Sequence, residues 1–119
     1  MAQQAGVILS TAEAAATLTV GTDAARNERK RTSSRLRYVT GLTIVGGNAI
    51  NECSVDVYIE DYFVGRFRNS RSGVAAAIIP DDFQAVKAAA CPPGSAIALI
   101  ITVAPTVSPL YIAVYGIER

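Results

Sequence analysis

Histidine is missing from this chain of 119 residues, and tryptophan is missing too. Without histidine there is no Ser–His or Cys–His pair to activate a nucleophile, and no imidazole to ligate a metal ion. The serine hydroxyls therefore lack the base that most often takes up their proton in catalysis. We predict that the protein is not an enzyme and that it holds no cofactor and no metal.

Charged residues are also few, since only 18% of the chain is Asp, Glu, Lys or Arg whereas 50% is hydrophobic. Eleven basic and ten acidic residues leave a net charge of +1, which does not favour a nucleic-acid binder that works through overall charge. A soluble monomer of this size usually carries more charge. We therefore expect copies of the chain, or another protein, to cover part of its apolar surface.

Long hydrophobic runs are absent. The longest apolar run, residues 96–104, has about half of the ~20 residues that a bilayer-spanning helix needs. The first twenty residues lack both the basic start and the apolar centre of a secretory signal. We expect no membrane span and no secretory signal.

Two cysteines, Cys53 and Cys91, permit a single disulfide. Both stand in apolar surroundings, which favours two buried thiols that pack as small hydrophobic side chains. A bridge between them stays open as the alternative, and their number does not identify a redox compartment.

The chain changes character near residue 35. Residues 1–34 lack a sustained hydrophobic pattern, and we predict an N-terminal extension, or arm, that contains one short strand or helix. Residues 26–37 hold six basic residues and one acidic residue, which gives a local charge of +5. The candidate protein-contacting residues of this arm are Arg26, Arg29, Lys30, Arg31 and Arg35.

Three interpretations of these basic residues stay open. They could form arginine–carboxylate pairs in an acidic groove of a neighbouring subunit, which is the interpretation we favour. They could neutralise phosphates of a nucleic acid, although no aromatic residue is interleaved among them for base stacking. They could also be a solvated lead-in to the first core strand, with no binding role.

From residue 35 to residue 119 the pattern predicts a single β-sandwich domain. The clearest alternation places Val55, Val57 and Ile59 on one face of a strand, with Asp56 and Tyr58 on the other face. Because Val57 is predicted to be buried, we expect Val57→Asp to prevent folding. Since Asp56 is predicted to face water, we expect Asp56→Asn to be tolerated.

Further strands are predicted on both sides of this one. Leu36, Tyr38, Leu42 and Ile44 are predicted to share one face of the preceding strand, and a tight turn at residues 60–61 leads into the next. Residues 81–90 fit either a short helix or a strand. The remaining strands are predicted at residues 62–68, 74–79, 96–103 and 110–117. Seven or eight strands spaced by turns indicate an antiparallel β-sandwich or barrel.

Two pairs of carboxylates are candidates for a catalytic or metal-binding role, namely Asp56 with Glu60 and Asp81 with Asp82. Such pairs serve acid–base catalysis or calcium binding in other proteins. Here the first pair is predicted to lie on an outward strand face, and the second follows a proline where a helix cap is favoured. We interpret both pairs as surface or capping residues.

The order of the strand and turn motifs resembles a known class of proteins. The motifs are YVTGLTIVGG, VDVYIEDYFVGRF, a Pro-Pro-Gly-Ser turn before AIALIITV, and LYIAVYGIE. From about Tyr38 to Glu118 they resemble the compact jelly-roll sandwiches of phage and virus virion proteins, above all capsid decoration (cement) proteins and minor coat proteins. The chain is shorter than a major jelly-roll coat protein usually is.

This resemblance implies a non-enzymatic structural subunit of the virion, made in the host cytoplasm and seated on the capsid protein lattice. It also implies contacts between copies of the chain, as a homotrimer. Two alternatives use the same fold: a receptor- or carbohydrate-binding module, and a small coat protein whose basic arm contacts nucleic acid.

Overall fold

Seven β-strands form two sheets in the computed structural model, which describes residues 6–13, 19–26, 28–46, 53–69, 84–103 and 110–118. Within these residues the helical structure is limited to a 3-10 helix, Arg29–Arg31. The predicted all-β class is therefore confirmed. The strands are β1 (Gly6–Glu13), β2 (Arg37–Gly46), β3 (Ser54–Ile59), β4 (Tyr62–Arg68), β5 (Gln84–Cys91), β6 (Ile97–Val103) and β7 (Leu110–Glu118).

The larger sheet has the strand order β1-β7-β2-β5, and the smaller sheet has the order β4-β3-β6. Every neighbouring pair is antiparallel. Apolar side chains from both sheets form one buried cluster between them. The predicted antiparallel sandwich of seven or eight strands is confirmed, with seven strands in the described part of the chain.

A single antiparallel bridge between Asp23 and Ile100 extends the smaller sheet beyond β6. If this bridge is counted as a shortened strand, the chain visits the sheets in a regular order. It passes from β1 to the bridge in the other sheet, back to β2, across to β3 and β4, back to β5, across to β6 and finally back to β7. Jelly rolls, which combine two Greek keys in two sheets, follow this route. The topology is therefore jelly-roll-like, with one strand reduced to a bridge.

The core confirms the inward face predicted for β3. Val55, Val57 and Ile59 are all buried, and Cys53 immediately before the strand is buried with them. Alternate residues of the neighbouring strand β6 (Ile97, Leu99 and Ile101) are also buried in the core cluster. Sustained alternation therefore identified the inward face of β3 correctly, because the extra residue in its pairing with β4 belongs to β4 and not to β3. β6 is the strand predicted from the continuous apolar run at residues 96–103.

The inward face predicted for β2 is wrong in its first half. Leu36 and Tyr38 are only partly buried, whereas Val39 lies in the core together with Leu42 and Ile44. The pairing of β2 with both β7 and β5 shifts in register between Val39 and Gly41. The extra residue of this β-bulge, Thr40, changes which side of the strand faces inward.

β1 lies in the stretch 1–34 that was predicted to be an arm, and it is the short strand expected there. It pairs along its length with β7, and its side chains Ile8 and Leu9 are buried in the core. Ala24 and Ala25 are buried in the same cluster. The division of the chain after residue 34 stays a prediction, but removal of residues 1–34 would remove core side chains as well as charges.

Of three further stretches predicted from the sequence, the structure describes two. The segment that fitted either a helix or a strand is strand β5 from Gln84 onward, and the turn at residues 60–61 is confirmed. The strand predicted over residues 74–79 lies outside the described residues.

Both cysteines are buried and unbridged, which confirms the interpretation as two buried thiols. Among the described residues there is no helix with the length and apolar character to span a membrane.

Close packing of β7 against β2 gives a test of the sheet register. A Cβ added at Gly116 would lie 2.2 Å from the carbonyl oxygen of Tyr38 and 2.9 Å from Cδ1 of Ile8. Because the first of these atoms belongs to the backbone, Gly116→Ala should force the two strands apart and lower the free energy of unfolding by about 2 kcal/mol. Urea unfolding followed by circular dichroism measures this loss.

The matched control is Gly6→Ala, since Gly6 pairs with Gly116 in the sheet but an added Cβ there meets no atom within 4 Å. Its unfolding midpoint should stay close to that of the parent protein. Equal midpoints for the two alanine variants would contradict the pairing of β7 with β2.

Candidate functional site

The candidate site predicted from the sequence is the run of basic residues between positions 26 and 37, which we call the basic segment. Its middle forms the 3-10 helix, Arg29–Arg31, and all three helical residues are basic. Arg29, Lys30 and Arg35 are exposed, whereas Arg26 and Arg31 are partly buried. The structure therefore places the five predicted residues in one short stretch but gives them different surroundings.

The chain that leads into the basic segment is fixed to the edge of β6. Gly21 N–H donates to the carbonyl oxygen of Ile101 at 2.7 Å, and Ala24 N–H donates to that of Leu99 at 2.8 Å. The carboxylate of Asp23 accepts the N–H groups of Ala25 at 2.9 Å and Leu99 at 3.0 Å. The basic segment thus begins at an anchored point of the smaller sheet.

Arg37 fixes the other end of the segment from inside the protein. Its side chain is 1% exposed, although it belongs to the same basic run in the sequence. Nη1 donates to the carbonyl oxygen of Lys30 at 2.5 Å, and Nη2 donates to that of Arg31 at 3.1 Å. Nη2 also lies 3.7 Å from Sγ of the buried Cys91. These contacts hold the last residues of the 3-10 helix against β2.

Several predicted site residues make contacts within the chain. Arg31 Nη1 lies 4.0 Å from a carboxylate oxygen of Asp23, and Arg35 Nη1 lies 3.4 Å from one of Glu118. Arg26 donates to the carbonyl oxygen of Asp23 at 3.0 Å. Within the described part of the chain, neither Arg29 nor Lys30 forms an ion pair. These two exposed cations are the part of the basic segment most available to a partner.

A cleft of about 590 Å³ opens beside the basic segment. The start of β1 and residues of β7 contribute to its lining, namely Gly6, Val7, Ile8, Gly116 and Glu118. The basic segment contributes Lys30, Thr32, Ser33 and Arg37. The cleft is therefore lined by apolar, hydroxyl-bearing and charged residues, and two of its charged residues are basic.

Asp56 does not have the solvated position predicted for it. It is 5% exposed, and its two carboxylate oxygens accept hydrogen bonds from Arg66 Nε at 2.7 Å and Nη2 at 3.1 Å. The hydrogen bond to Asp56 raises the pKa of Arg66 above its ordinary value. Asp56 points away from the core as the alternation requires, but the neighbouring strand β4 covers it with Arg66, so the predicted tolerance of Asp56→Asn is not supported.

The first two residues of β4 are exposed aromatic residues. Tyr62 is 66% exposed and Phe63 is 48% exposed, and the Phe63 ring lies 5.4 Å from that of Tyr58. A groove of about 190 Å³ is lined by Tyr62, Val64 and the β5 residues Lys87, Ala88 and Ala89. The placement of tyrosines within strands did not reveal this exposure, because β4 is an edge strand.

Carboxylates and cysteines do not gather into a metal site within the described residues. Glu60 instead accepts the N–H of Ala96 at 2.9 Å, which secures the turn before β4. Asp81 and Asp82 lie outside the described residues.

The chain matches no protein family, no curated protein and no solved structure.

Sequence reasoning missed the structural roles of Arg37 and Asp23. A signal for Arg37 was present, since it alternates with Val39 and so lies on the buried side at the start of β2. Asp23 gave no such signal, because its carboxylate accepts one N–H two residues away and another 76 residues away.

Removal of the Arg37 guanidinium should loosen the basic segment. We predict that Arg37→Met lowers the free energy of unfolding by about 2 kcal/mol, because two carbonyl oxygens lose a charged donor. Limited trypsin digestion should also cut faster after Lys30 and Arg31. The matched control is Arg29→Met, which removes an exposed charge and should change stability by less than about 0.5 kcal/mol. Unchanged cleavage in Arg37→Met would contradict the anchoring role.

The buried carboxylate gives a second test. Asp56→Asn should lower the free energy of unfolding by about 1–2 kcal/mol, because an amide replaces one of the two charge-assisted acceptors of Arg66. Asp61→Asn makes the same chemical change at an exposed position and should have little effect. Urea unfolding compares the two variants, and equal midpoints would show that the pair with Arg66 does not stabilise the fold.

Proposed function

We propose that the protein is a structural subunit of a virus particle, a capsid decoration (cement) or minor coat protein of phage type. It acts in the virion by contacts with the capsid protein lattice and with copies of itself, and it catalyses no reaction. The jelly-roll-like strand order supports this proposal, because virus coat proteins are among the main users of that architecture. The absence of histidine supports the non-catalytic part of the proposal, because histidine is the usual acid or base in catalysis near neutral pH.

The observation that carries the proposal is the rigid display of Arg29 and Lys30. Both cations are exposed, and the helix that bears them is held by the guanidinium of Arg37 on one side and by the anchor at Asp23 on the other. Because the backbone that carries these cations is already anchored, mainly their side chains lose conformational entropy when they meet carboxylates. An acidic groove on a capsid protein is therefore a suitable partner.

Nucleic acid is a less suitable partner for the same surface. Phosphate-backbone binding gains its strength from many released counterions, hence from many exposed Lys and Arg side chains. In the basic segment Arg37 is buried, and Arg31 and Arg35 face carboxylates of the chain itself. The charge that remains fits a local protein contact better than a long nucleic-acid track.

Self-association is the second part of the proposal. Exposed large hydrophobic side chains lie on β1, β4 and β6, and each of these is the outer strand of its sheet in the described strand order. A closed oligomer would cover such edges, since cyclic symmetry pairs the same surfaces in every copy. We propose a homotrimer, as in the virion proteins that the sequence resembles.

Attachment to the particle tests the proposal. Co-sedimentation with intact particles of the parent virus should fall about tenfold when Arg29 and Lys30 are both replaced by Glu, because two attractive contacts become repulsive. The same binding should weaken as salt is added. Lys87→Glu is the control, since it makes the same change at an exposed cation of β5, outside the basic segment. Full binding of the double variant, or an equal loss with Lys87→Glu, would contradict the proposed surface.

The oligomeric state is tested separately by light scattering on the purified protein. A trimer at micromolar concentration is the expected result, and a monomer would refute the self-association part. Point variants are preferable to removal of residues 1–34, because that deletion would also remove β1 from the larger sheet.

A second candidate function has its own supporting observation. The exposed rings of Tyr62 and Phe63, next to a groove that contains Lys87, favour a receptor- or carbohydrate-binding module. This candidate gains support if Tyr62→Ala abolishes binding to host cells while particle attachment is unaffected by the charges of the basic segment. The opposite pattern supports the structural subunit.

A further inference from the structure

We propose that the cleft between β1 and the basic segment is a binding site for a carboxylate group. The part of the inference that names the source, an acidic side chain or chain terminus of a neighbouring subunit, rests on the proposed function. The existence of the site does not, because it is argued from the cleft itself.

The first step is a buried positive charge that has no counter-ion among the described residues. Arg37 is 1% exposed, and no carboxylate of the described residues lies within ion-pair distance of it. Its Nη atoms contact two carbonyl oxygens and a thiol, whereas Nε has no hydrogen-bond partner in the described part of the chain. A buried charge that neutral groups alone satisfy stays electrostatically uncompensated, and a nearby anion would stabilise it.

The second step is the position of that charge. Arg37 belongs to the lining of the 590 Å³ cleft, where Lys30 adds an exposed ammonium group. Glu118 also lines the cleft, but its carboxylate faces Arg35 at 3.4 Å. The lining thus holds the positive charges of Lys30 and Arg37 against the negative charge of Glu118, which already faces Arg35, and this leaves the cleft attractive to an anion.

The third step is the supply of hydrogen-bond donors. Thr32 and Ser33, which carry hydroxyl groups, line the cleft together with Lys30. Ser33 Oγ accepts the N–H of Arg35 at 3.1 Å, so its own hydrogen stays free to donate. An ammonium group with two hydroxyls suits the two oxygens of a carboxylate, while Arg37 contributes through its charge rather than by direct contact.

A carboxylate fits the cleft better than a phosphate does. Glu118 would repel a doubly charged phosphate more strongly than a singly charged carboxylate, and Lys30 is the one exposed cation among the residues that line the cleft. The exposed Val7 also lines the cleft and can pack against the aliphatic part of an acidic residue. The preferred ligand is therefore a carboxylate on a short apolar stem, as in glutamate.

The test uses a small probe, N-acetyl-glutamate methylamide, titrated into the ¹⁵N-labelled protein. Saturable shifts are expected at the backbone N–H groups of Ser33 and Gly116, which border the cleft. The neutral analogue N-acetyl-glutamine methylamide has nearly the same shape and should cause no saturable shift. Lys30→Ala should weaken binding of the glutamate probe about fivefold, because one exposed charge contact is lost.

Arg68→Ala is the control, since Arg68 is an exposed cation at the end of β4 that does not line the cleft. It should leave the affinity of the probe unchanged. Equal effects of the two alanine variants, equal binding of the glutamine analogue, or no saturable shift would overturn the proposal. Tighter binding of inorganic phosphate than of the glutamate probe would overturn it in favour of a phosphate site.

Failure here is distinguishable from failure of the proposed function. Loss of particle binding in the double Glu variant together with no probe binding would retain the structural subunit and reject the cleft. Probe binding without particle attachment would retain the cleft and reject a capsid partner as the source of its carboxylate.

Discussion

The guanidinium of Arg37 is the interaction on which the arrangement of the basic segment depends. A run of basic residues has no tendency to fold onto an apolar sandwich, because its charges are better solvated by water. Hydrogen bonds from inside the protein to the carbonyl oxygens of Lys30 and Arg31 overcome this tendency. One buried cation thus fixes the position of its exposed neighbours, and a sequence stretch that looks like a flexible tail becomes a defined surface.

The sandwich uses local irregularity to combine two kinds of strand. β3 and β6 keep a regular alternation in their core-facing residues, whereas β1 and β2 each contain a bulge in their pairing with β7. The bulge in β1 allows the adjacent residues Ile8 and Leu9 both to be buried. The bulge in β2 allows Arg37 and Val39 to face inward at one end and Leu42 and Ile44 at the other.

Much of the fold is predictable from the sequence because period-2 alternation depends only on which side of a strand is buried. This reasoning found β3, β6 and β7, and it found the turn at residues 60–61. It failed where tertiary contacts decide: a bulge at Thr40 changed the inward face of β2, and pairing with Arg66 buried Asp56. The basic segment was visible as charge, but the difference between Arg37 and its neighbours depends on which side of β2 each residue occupies.

The position of β7 in the larger sheet has a consequence for how the protein is made. β7 is the last of the seven strands along the chain, yet it lies between β1 and β2 in the sheet. Its pairing with β1 brings Gly116 next to Gly6, about a hundred residues away in the sequence. During synthesis β1 and β2 therefore have no partner between them until the final strand leaves the ribosome, and such distant pairings form slowly. The unpaired edges of both strands stay available to other chains in that interval. Synthesis that stops before residue 110 would therefore yield an aggregating fragment rather than a smaller folded protein.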